Sequence, residues 1–178
     1  MSFNSSPSIG LDSQCLSYLI DALSDVTSPA DALAQERASL ARIFFYSPGT
    51  LWTTITAEVE CSRIRQVDRA ELHRSWIAVH FGALPISDAH MIDERVALLR
   101  TEHRGENDCR ILAEAESAKL NVLITNDKAF RRNLSAHTEV LLAAPIEYWT
   151  SMAISAGTLP QKTPTPDNPL AKQTWWRV

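Results

Sequence analysis

Long apolar runs, cysteine and glycine are all scarce in this chain of 178 residues. No window approaches the roughly 18 consecutive apolar residues of a membrane helix, so we expect no membrane-spanning segment. The first residues, MSFNSSPSIG, lack a basic segment followed by an apolar core, which predicts no signal peptide. The three cysteines are odd in number and widely spaced, which fits neither a disulfide framework nor a zinc site. A reducing cytoplasm is the expected location.

Positive charge is not in excess either. The formal net charge of -4 argues against a generally basic nucleic-acid-binding surface, although a local basic groove is compatible with it. The hydrophobic fraction of 45% is ordinary for a globular protein. The length suits one well-buried domain with a short appendage.

Short apolar runs alternate with amphipathic helical stretches along most of the chain. The predicted strands are 8–12, 51–54, 84–86, 122–125 and 140–143. The predicted helices are 14–23, a helix that Pro29 opens and that reaches Phe44, 57–64, 69–79, 88–103, 107–120 and 128–134. Strands separated by helices predict an α/β fold, with a mostly parallel sheet between two helical layers.

The composition changes after residue 157, so we predict a domain over residues 1–157 and an arm over residues 158–178. Four prolines fall between positions 160 and 169, which favours an extended, polyproline-like path. The arm ends in Trp175-Trp176-Arg177. A loose terminus is the simpler explanation, but two adjacent tryptophans in water would be unusual. We expect the pair to dock on an apolar groove of this chain or of a second copy.

Four acidic residues fall where predicted strands end or predicted helices begin. Asp12 and Asp127 end strands, while Glu58 and Asp108 lie in first helical turns. Taken singly, each has a simple structural explanation, as a helix N-cap or as a charge that favours the positive end of a helix dipole. In a parallel sheet, however, strand ends and helix starts share the carboxyl edge, where ligands bind.

Carboxylates gathered at one edge repel one another. Each pair about 4 Å apart costs on the order of 4 kcal/mol at an effective dielectric constant near 20. A hard divalent cation would offset this repulsion, and Mg²⁺ or Mn²⁺ suits a site of carboxylates and waters. The five histidines show no metal-type spacing and are expected at the surface or at helix ends, so zinc fits less well.

Four stretches together resemble the PIN domain, a family of metal-dependent ribonucleases that includes toxins of VapC type. They are IGLDS (9–13), TITAEVE (54–60), NDCRILAEA (107–115) and VLITNDKAF (122–130). The resemblance implies a three-layer α/β/α domain with a parallel sheet of strand order 3-2-1-4-5. Strands 1 and 4 would then be neighbours, with Asp12 and Asp127 facing each other across a crevice.

The resemblance also implies a role for each residue of the site. The implied catalytic acids are Asp12, Glu58, Asp108 and Asp127, and the implied metal ligands are Asp12, Asp108 and Asp127. The implied supports, which would orient the carboxylates by hydrogen bonds, are Ser13, Thr125 and Asn126. Glu60 competes with Glu58, because residues two apart on a helix point to opposite sides. We choose Glu58, since it follows Thr-Ala as in the family pattern.

Substrate contacts and partners follow from the same resemblance. Arg65, seven residues after Glu58 and on the same predicted helical side, is the candidate phosphate-binding residue. The expected activity is hydrolysis of RNA by metal-activated water. If the chain is the toxin of a toxin–antitoxin pair, a small antitoxin protein is its partner, although the arm makes it longer than a minimal toxin. A homodimer is a further candidate assembly.

Two alternative functions stay open. A catalytically silent PIN-like module would bind its partners without cleaving RNA. A phosphohydrolase of another α/β family would use Asp12 as a covalent nucleophile. That chemistry calls for a second acid two residues later, but the residue there is Gln14.

Overall fold

The structure is a computed structural model that describes residues 6–24, 30–85 and 88–178. Its strands are β1 (Ile9–Leu11), β2 (Leu51–Thr53), β3 (Phe81–Ala83), β4 (Val122–Ile124) and β5 (Leu141–Ala143). Its α-helices are α1 (Ser13–Ser24), α2 (Ala34–Tyr46), α3 (Ile55–Ser62), α4 (Val67–His80), α5 (Ala89–Leu99), α6 (Glu106–Ser117), α7 (Lys128–Leu134) and α8 (Pro145–Ser151). The predicted helix start at Pro29 lies outside the described residues, as does Ile86 of the strand predicted over 84–86.

The five strands of the described chain pair in parallel in the order β3-β2-β1-β4-β5. The predicted α/β class, parallel sheet and strand order are thus confirmed. β1 is central, since Ile9 pairs with Leu51 on one side and with Val122 on the other. The chain winds outward from β1 to β3 and then returns to β4, so the topological switch point lies between β1 and β4.

Helices cover both faces of the sheet and bury two apolar clusters. One cluster contains Leu19 of α1 and Phe44 of α2, and the other contains Leu112 of α6 and Phe130 of α7. The central strands β1 and β4 are buried along their whole length, as expected for a parallel sheet covered on both faces. No helix within the described residues is long and apolar enough to cross a bilayer.

Four elements differ from the sequence prediction, since α5 ends at Leu99 rather than at residue 103 and α3 covers Ile55–Ser62 rather than 57–64. The other two are β3 and α8. The edge strand β3 covers Phe81–Ala83 rather than 84–86, and it begins directly after α4 without an intervening turn. The sequence does not predict α8 (Pro145–Ser151), although Pro145 stands at its first position, which is favourable for a helix start. The Glu147 carboxylate also accepts a hydrogen bond from the Ala144 amide at 2.9 Å.

The C-terminal segment, residues 158–178, packs against the domain and contains one 3-10 helix, Pro169–Lys172. Trp176 is only 1% exposed, and its ring centroid lies 4.2 Å from that of Phe45. Trp175 is partly buried against the same cluster. The expected docking of the tryptophans on an apolar surface of this chain is confirmed.

A polar network joins α1 to α4. The Arg69 guanidinium donates to Asp21 Oδ2 at 2.6 Å, and His73 Nε2 lies 3.1 Å from Asp21 Oδ1. His73 is buried, so the expectation that it lies at the surface or at a helix end is wrong. Burial alone would raise the pKa of the Asp21 carboxyl, but the contacts with His73 and Arg69 outweigh it and lower the pKa to about 2.

We expect Asp21→Asn to lower the free energy of unfolding by about 2 kcal/mol at pH 7, allowing for the partial exposure of the ion pair. Because the folded-state pKa lies below the unfolded value, this stability is present above about pH 4 and is lost as the pH falls toward 2. Urea unfolding at pH 7 and pH 3 measures the effect. The difference between wild type and variant should narrow at pH 3, and an equal difference at both pH values would contradict an electrostatic origin.

Candidate functional site

Asp12 follows β1 and lies beside β4 at the switch point. Its amide donates to the Ile124 carbonyl at 3.0 Å, and its Oδ1 accepts from the Cys15 amide at 2.6 Å, which caps α1. The residue is 6% exposed. Burial raises the pKa of its carboxyl to about 6, hydrogen bonds from Thr125 and Cys15 oppose the rise, and Asp108 adds to it. The charged form of Asp12 is therefore destabilised where it lies.

The residues after β4 lie on the other side of the switch point. Asp127 is exposed, and its Oδ1 accepts from the amides of Ala129 at 2.7 Å and Phe130 at 2.9 Å, so it caps α7. Thr125 is fully buried, its Oγ1 accepts from the Asp127 amide at 3.1 Å, and its side chain helps to lower the pKa of the Asp12 carboxyl. Thr125 therefore lies between the two aspartates that follow the central strands.

The sequence predicts that Asn126 supports the carboxylates by hydrogen bonds, but its side-chain amide donates none to them. Its Nδ2 atom is buried and has no hydrogen-bond partner among the residues that the structure describes. Buried donors are almost always paired, so this unpaired amide is an exception that its predicted role does not explain.

The two glutamates of α3 point to different places. Ser13 Oγ donates to Glu60 Oε2 and Asn107 Nδ2 donates to Glu60 Oε1, both at 2.5 Å. Glu60 therefore lies between the starts of α1 and α6, where it contacts the sequence neighbours of Asp12 and Asp108. Glu58 instead accepts a hydrogen bond from the Thr53 hydroxyl and lines a cavity of about 290 Å³ between α3 and α4. Glu60, rather than the predicted Glu58, makes the contacts with the starts of α1 and α6.

Asp108 lies in the first turn of α6 and contacts a buried histidine. His103 Nε2 is 2.8 Å from Asp108 Oδ2, and His103 is 7% exposed. His103 lies in the connection between α5 and α6, near helix ends as expected, but its side chain is buried rather than at the surface. In the stretch TEHRGEND (101–108) the charged neighbours give no sign of burial. The only clue in the sequence is the short separation between the histidine and the aspartate.

Arg65 does not share a helical face with the glutamates. Helix α3 ends at Ser62, and Arg65 lies exposed in the connection to α4, so the helical spacing behind its predicted role does not apply. Two other arginines share a cavity with one of the acidic residues. Arg63 and Arg110 line a cavity of about 440 Å³ that also contains Glu60.

The side-chain atoms at this edge of the sheet that could bind a metal ion are oxygens. Burial raises the pKa of the Cys15, Cys61 and Cys109 thiols, that of Cys61 to about 12, so none is a nucleophile near neutral pH. Among the described residues, no three His, Cys, Asp or Glu side chains are grouped closely enough to hold a metal ion as they lie. The acids are instead turned toward the hydrogen-bond partners described above. Even so, carboxylates are the ligands that Mg²⁺ and Mn²⁺ prefer, and a cation would relieve the buried charge of Asp12.

No protein-family model matches the chain, and no curated protein is significantly similar to it. The residues and their geometry therefore bear most directly on the activity. The strand order is central, because it makes β1 and β4, which Asp12 and Asp127 follow, neighbouring strands.

Proposed function

We propose that the protein is a metal-dependent endoribonuclease of PIN-domain type, which hydrolyses phosphodiester bonds of RNA with Mg²⁺ or Mn²⁺. The main support is the Asp12 carboxyl at the switch point, which is buried, has a pKa raised to about 6 and is influenced by the charge of Asp108. The crevice outside the carboxyl ends of β1 and β4 is where a sheet of this topology binds its ligand. The four stretches that resemble the family supply the acids at that edge.

Each acid has a proposed role. Asp12 and Asp108 hold the cation, Glu60 contributes a third carboxylate, and Asp127 acts from the exposed rim. The cation would supply Lewis-acid activation of water and offset the charge of the phosphate. Thr125, which is fully buried and lowers the pKa of Asp12, would help to orient the Asp12 carboxylate.

The proposed RNA contacts are two arginines that lie beside Glu60. Arg63 and Arg110 line the larger cavity beside Glu60, where they can neutralise the backbone of a bound strand. This placement reconciles RNA binding with a net charge of -4, since the positive charge is needed only locally.

Cleavage of a labelled single-stranded RNA by the purified chain tests the proposal. We expect cleavage with Mg²⁺ or Mn²⁺ and none in EDTA. Glu60→Gln should slow cleavage at least about tenfold, because it removes a charge next to the cation. Glu58→Gln should cleave at nearly the wild-type rate, since its side chain points to the other cavity.

The controls separate this activity from its alternatives. Asp167→Asn changes an exposed acid in the C-terminal segment and should leave cleavage unchanged. Cleavage that survives EDTA would contradict the metal dependence. RNA binding without cleavage under all metal conditions would favour the silent binding module instead.

A further inference from the structure

The His103 ring is held between α6 and α7. Its Nε2 contacts Asp108 Oδ2 at 2.8 Å, its Nδ1 lies 3.4 Å from Asn133 Nδ2, and its ring stacks on Phe130 with centroids 5.8 Å apart. A carboxylate only accepts, so Nε2 carries the hydrogen of this bond and Nδ1 accepts from the Asn133 amide. Asn133 and Phe130 belong to α7, the helix that Asp127 caps. The ring therefore links two of the proposed site acids through packed, hydrogen-bonded neighbours.

Gly105 provides the space for this contact. A Cβ atom at position 105 would overlap Asp108 Oδ2 and would lie 2.7 Å from His103 Nε2. The Gly105 φ of -69° is one that any residue adopts, so the backbone itself does not require glycine. A larger residue would instead displace the Asp108 carboxylate or the His103 ring, because both atoms of their hydrogen bond lie close to this position.

We infer that His103 is a positioning residue for Asp108, fixing its carboxylate relative to α7 in the space that Gly105 leaves open. The inference rests on the proposed function, in which Asp108 holds the cation. The Asp108 side chain is 33% exposed, so without this partner it could rotate into solvent. Partners of this kind orient metal-binding carboxylates, and their loss typically costs about 10–100-fold in metal affinity or activity.

Three variants of the full chain separate positioning from packing. His103→Phe keeps an aromatic ring against Phe130 but removes the nitrogen that donates to Asp108. His103→Gln restores an N–H donor near the position of Nε2. Gly105→Ala retains both partners and displaces one of them by steric overlap. His90→Gln, at an exposed histidine of α5, is the matched control.

Mn²⁺ affinity measured by titration calorimetry is the first readout, and the RNA cleavage rate at saturating Mn²⁺ is the second. We expect His103→Phe and Gly105→Ala to weaken Mn²⁺ binding about 10–100-fold, and His103→Gln to recover most of that loss. His90→Gln should bind Mn²⁺ as wild type does. The melting temperature in EDTA reports how much each substitution perturbs the fold. If His103 had only a structural role, its substitution would lower this melting temperature but would leave the Mn²⁺ affinity of the folded fraction unchanged.

The outcomes distinguish this inference from the proposed function. If wild type binds Mn²⁺ and cleaves RNA while folded His103→Phe and Gly105→Ala bind Mn²⁺ equally well, the positioning role is overturned and the nuclease proposal stands. If wild type neither binds Mn²⁺ nor cleaves RNA, the proposed function fails and the inference fails with it. If His103→Phe does not fold, the Mn²⁺ affinity of Gly105→Ala is compared with that of His103→Gln instead. Equal affinity in these two variants would overturn the positioning role.

Discussion

Asp12→Asn is expected to abolish metal-dependent RNA cleavage while leaving the fold intact. The substitution removes the negative charge at the centre of the proposed site. It keeps Oδ1 as an acceptor for the Cys15 amide, so the cap of α1 survives. Loss of outer partners alone costs roughly 10–100-fold in such sites, so loss of a ligand should cost more than about 100-fold in rate.

The same substitution should stabilise the metal-free protein at neutral and alkaline pH. The folded-state pKa of about 6 exceeds the ordinary value of 3.8 because the carboxyl is buried. The stability associated with protonated Asp12 is therefore present below about pH 4 and is lost as the pH rises through 6. Two pKa units correspond to on the order of 3 kcal/mol, part of which a neutral amide should recover. In EDTA, the variant should melt above wild type at pH 8, and the difference should disappear near pH 4.

Substitutions of Asp127 separate its role as the N-cap of α7 from its proposed role in RNA cleavage. Asparagine is as good an N-cap as aspartate, so Asp127→Asn should retain α7 but impair cleavage. Asp127→Ala should lose both the N-cap of α7 and RNA cleavage. Loss of the cap should lower the free energy of unfolding by about 1 kcal/mol. Cleavage at the wild-type rate by the Asp12→Asn/Asp127→Asn double variant would refute the assignment of the site.

The central strands and the acids that end them could be predicted because local signals determine them. The runs before Asp12 and Asp127 are apolar and short, and each acid accepts hydrogen bonds from amides two or three residues later. A cap of this kind is encoded by neighbours in the sequence. The parallel order then brings the two strand ends together without further information.

Local signals in the sequence do not show whether Glu58 or Glu60 faces the site. Helix α3 is only eight residues long, and its buried residues include Thr56, Ala57 and Cys61. These small side chains do not reveal how the helix is rotated toward its neighbours. The rotation is set by tertiary contacts, such as those of Glu60 with α1 and α6.

His103 and Arg65 show the same limit. His103 is buried because Phe130 and Asn133, about thirty residues later, pack against it, and no periodic pattern records such a contact. The role of Arg65 depended on α3 continuing for one more turn, and helix ends are the least certain feature of a sequence prediction.

Trp176→Ala is expected to lower the free energy of unfolding by about 3–5 kcal/mol, the usual cost of truncating a large buried aromatic residue. The Trp176 ring packs on Phe45, and its Nε1 donates to the Leu170 carbonyl at 3.2 Å. The substitution therefore leaves a cavity and also removes a buried hydrogen bond. Leu159→Ala is the control, because Leu159 is in the same segment but is 82% exposed, and its loss should have little effect.

Cleavage per folded molecule should persist in Trp176→Ala, because the C-terminal segment lies at the other edge of the sheet from the acids. Lys162 Nζ donates to the carbonyl of Gly49, which precedes β2, whereas the acids follow the carboxyl ends of the strands. Deleting residues 159–178 should destabilise the domain at least as much as the single substitution, since it also removes Leu170 from the core. Thermal melting and RNA cleavage, both measured below the melting temperature of each variant, separate the two effects. An unchanged melting temperature would contradict the role of Trp176 in the core, and loss of RNA binding by a folded truncated chain would make the segment part of the substrate site.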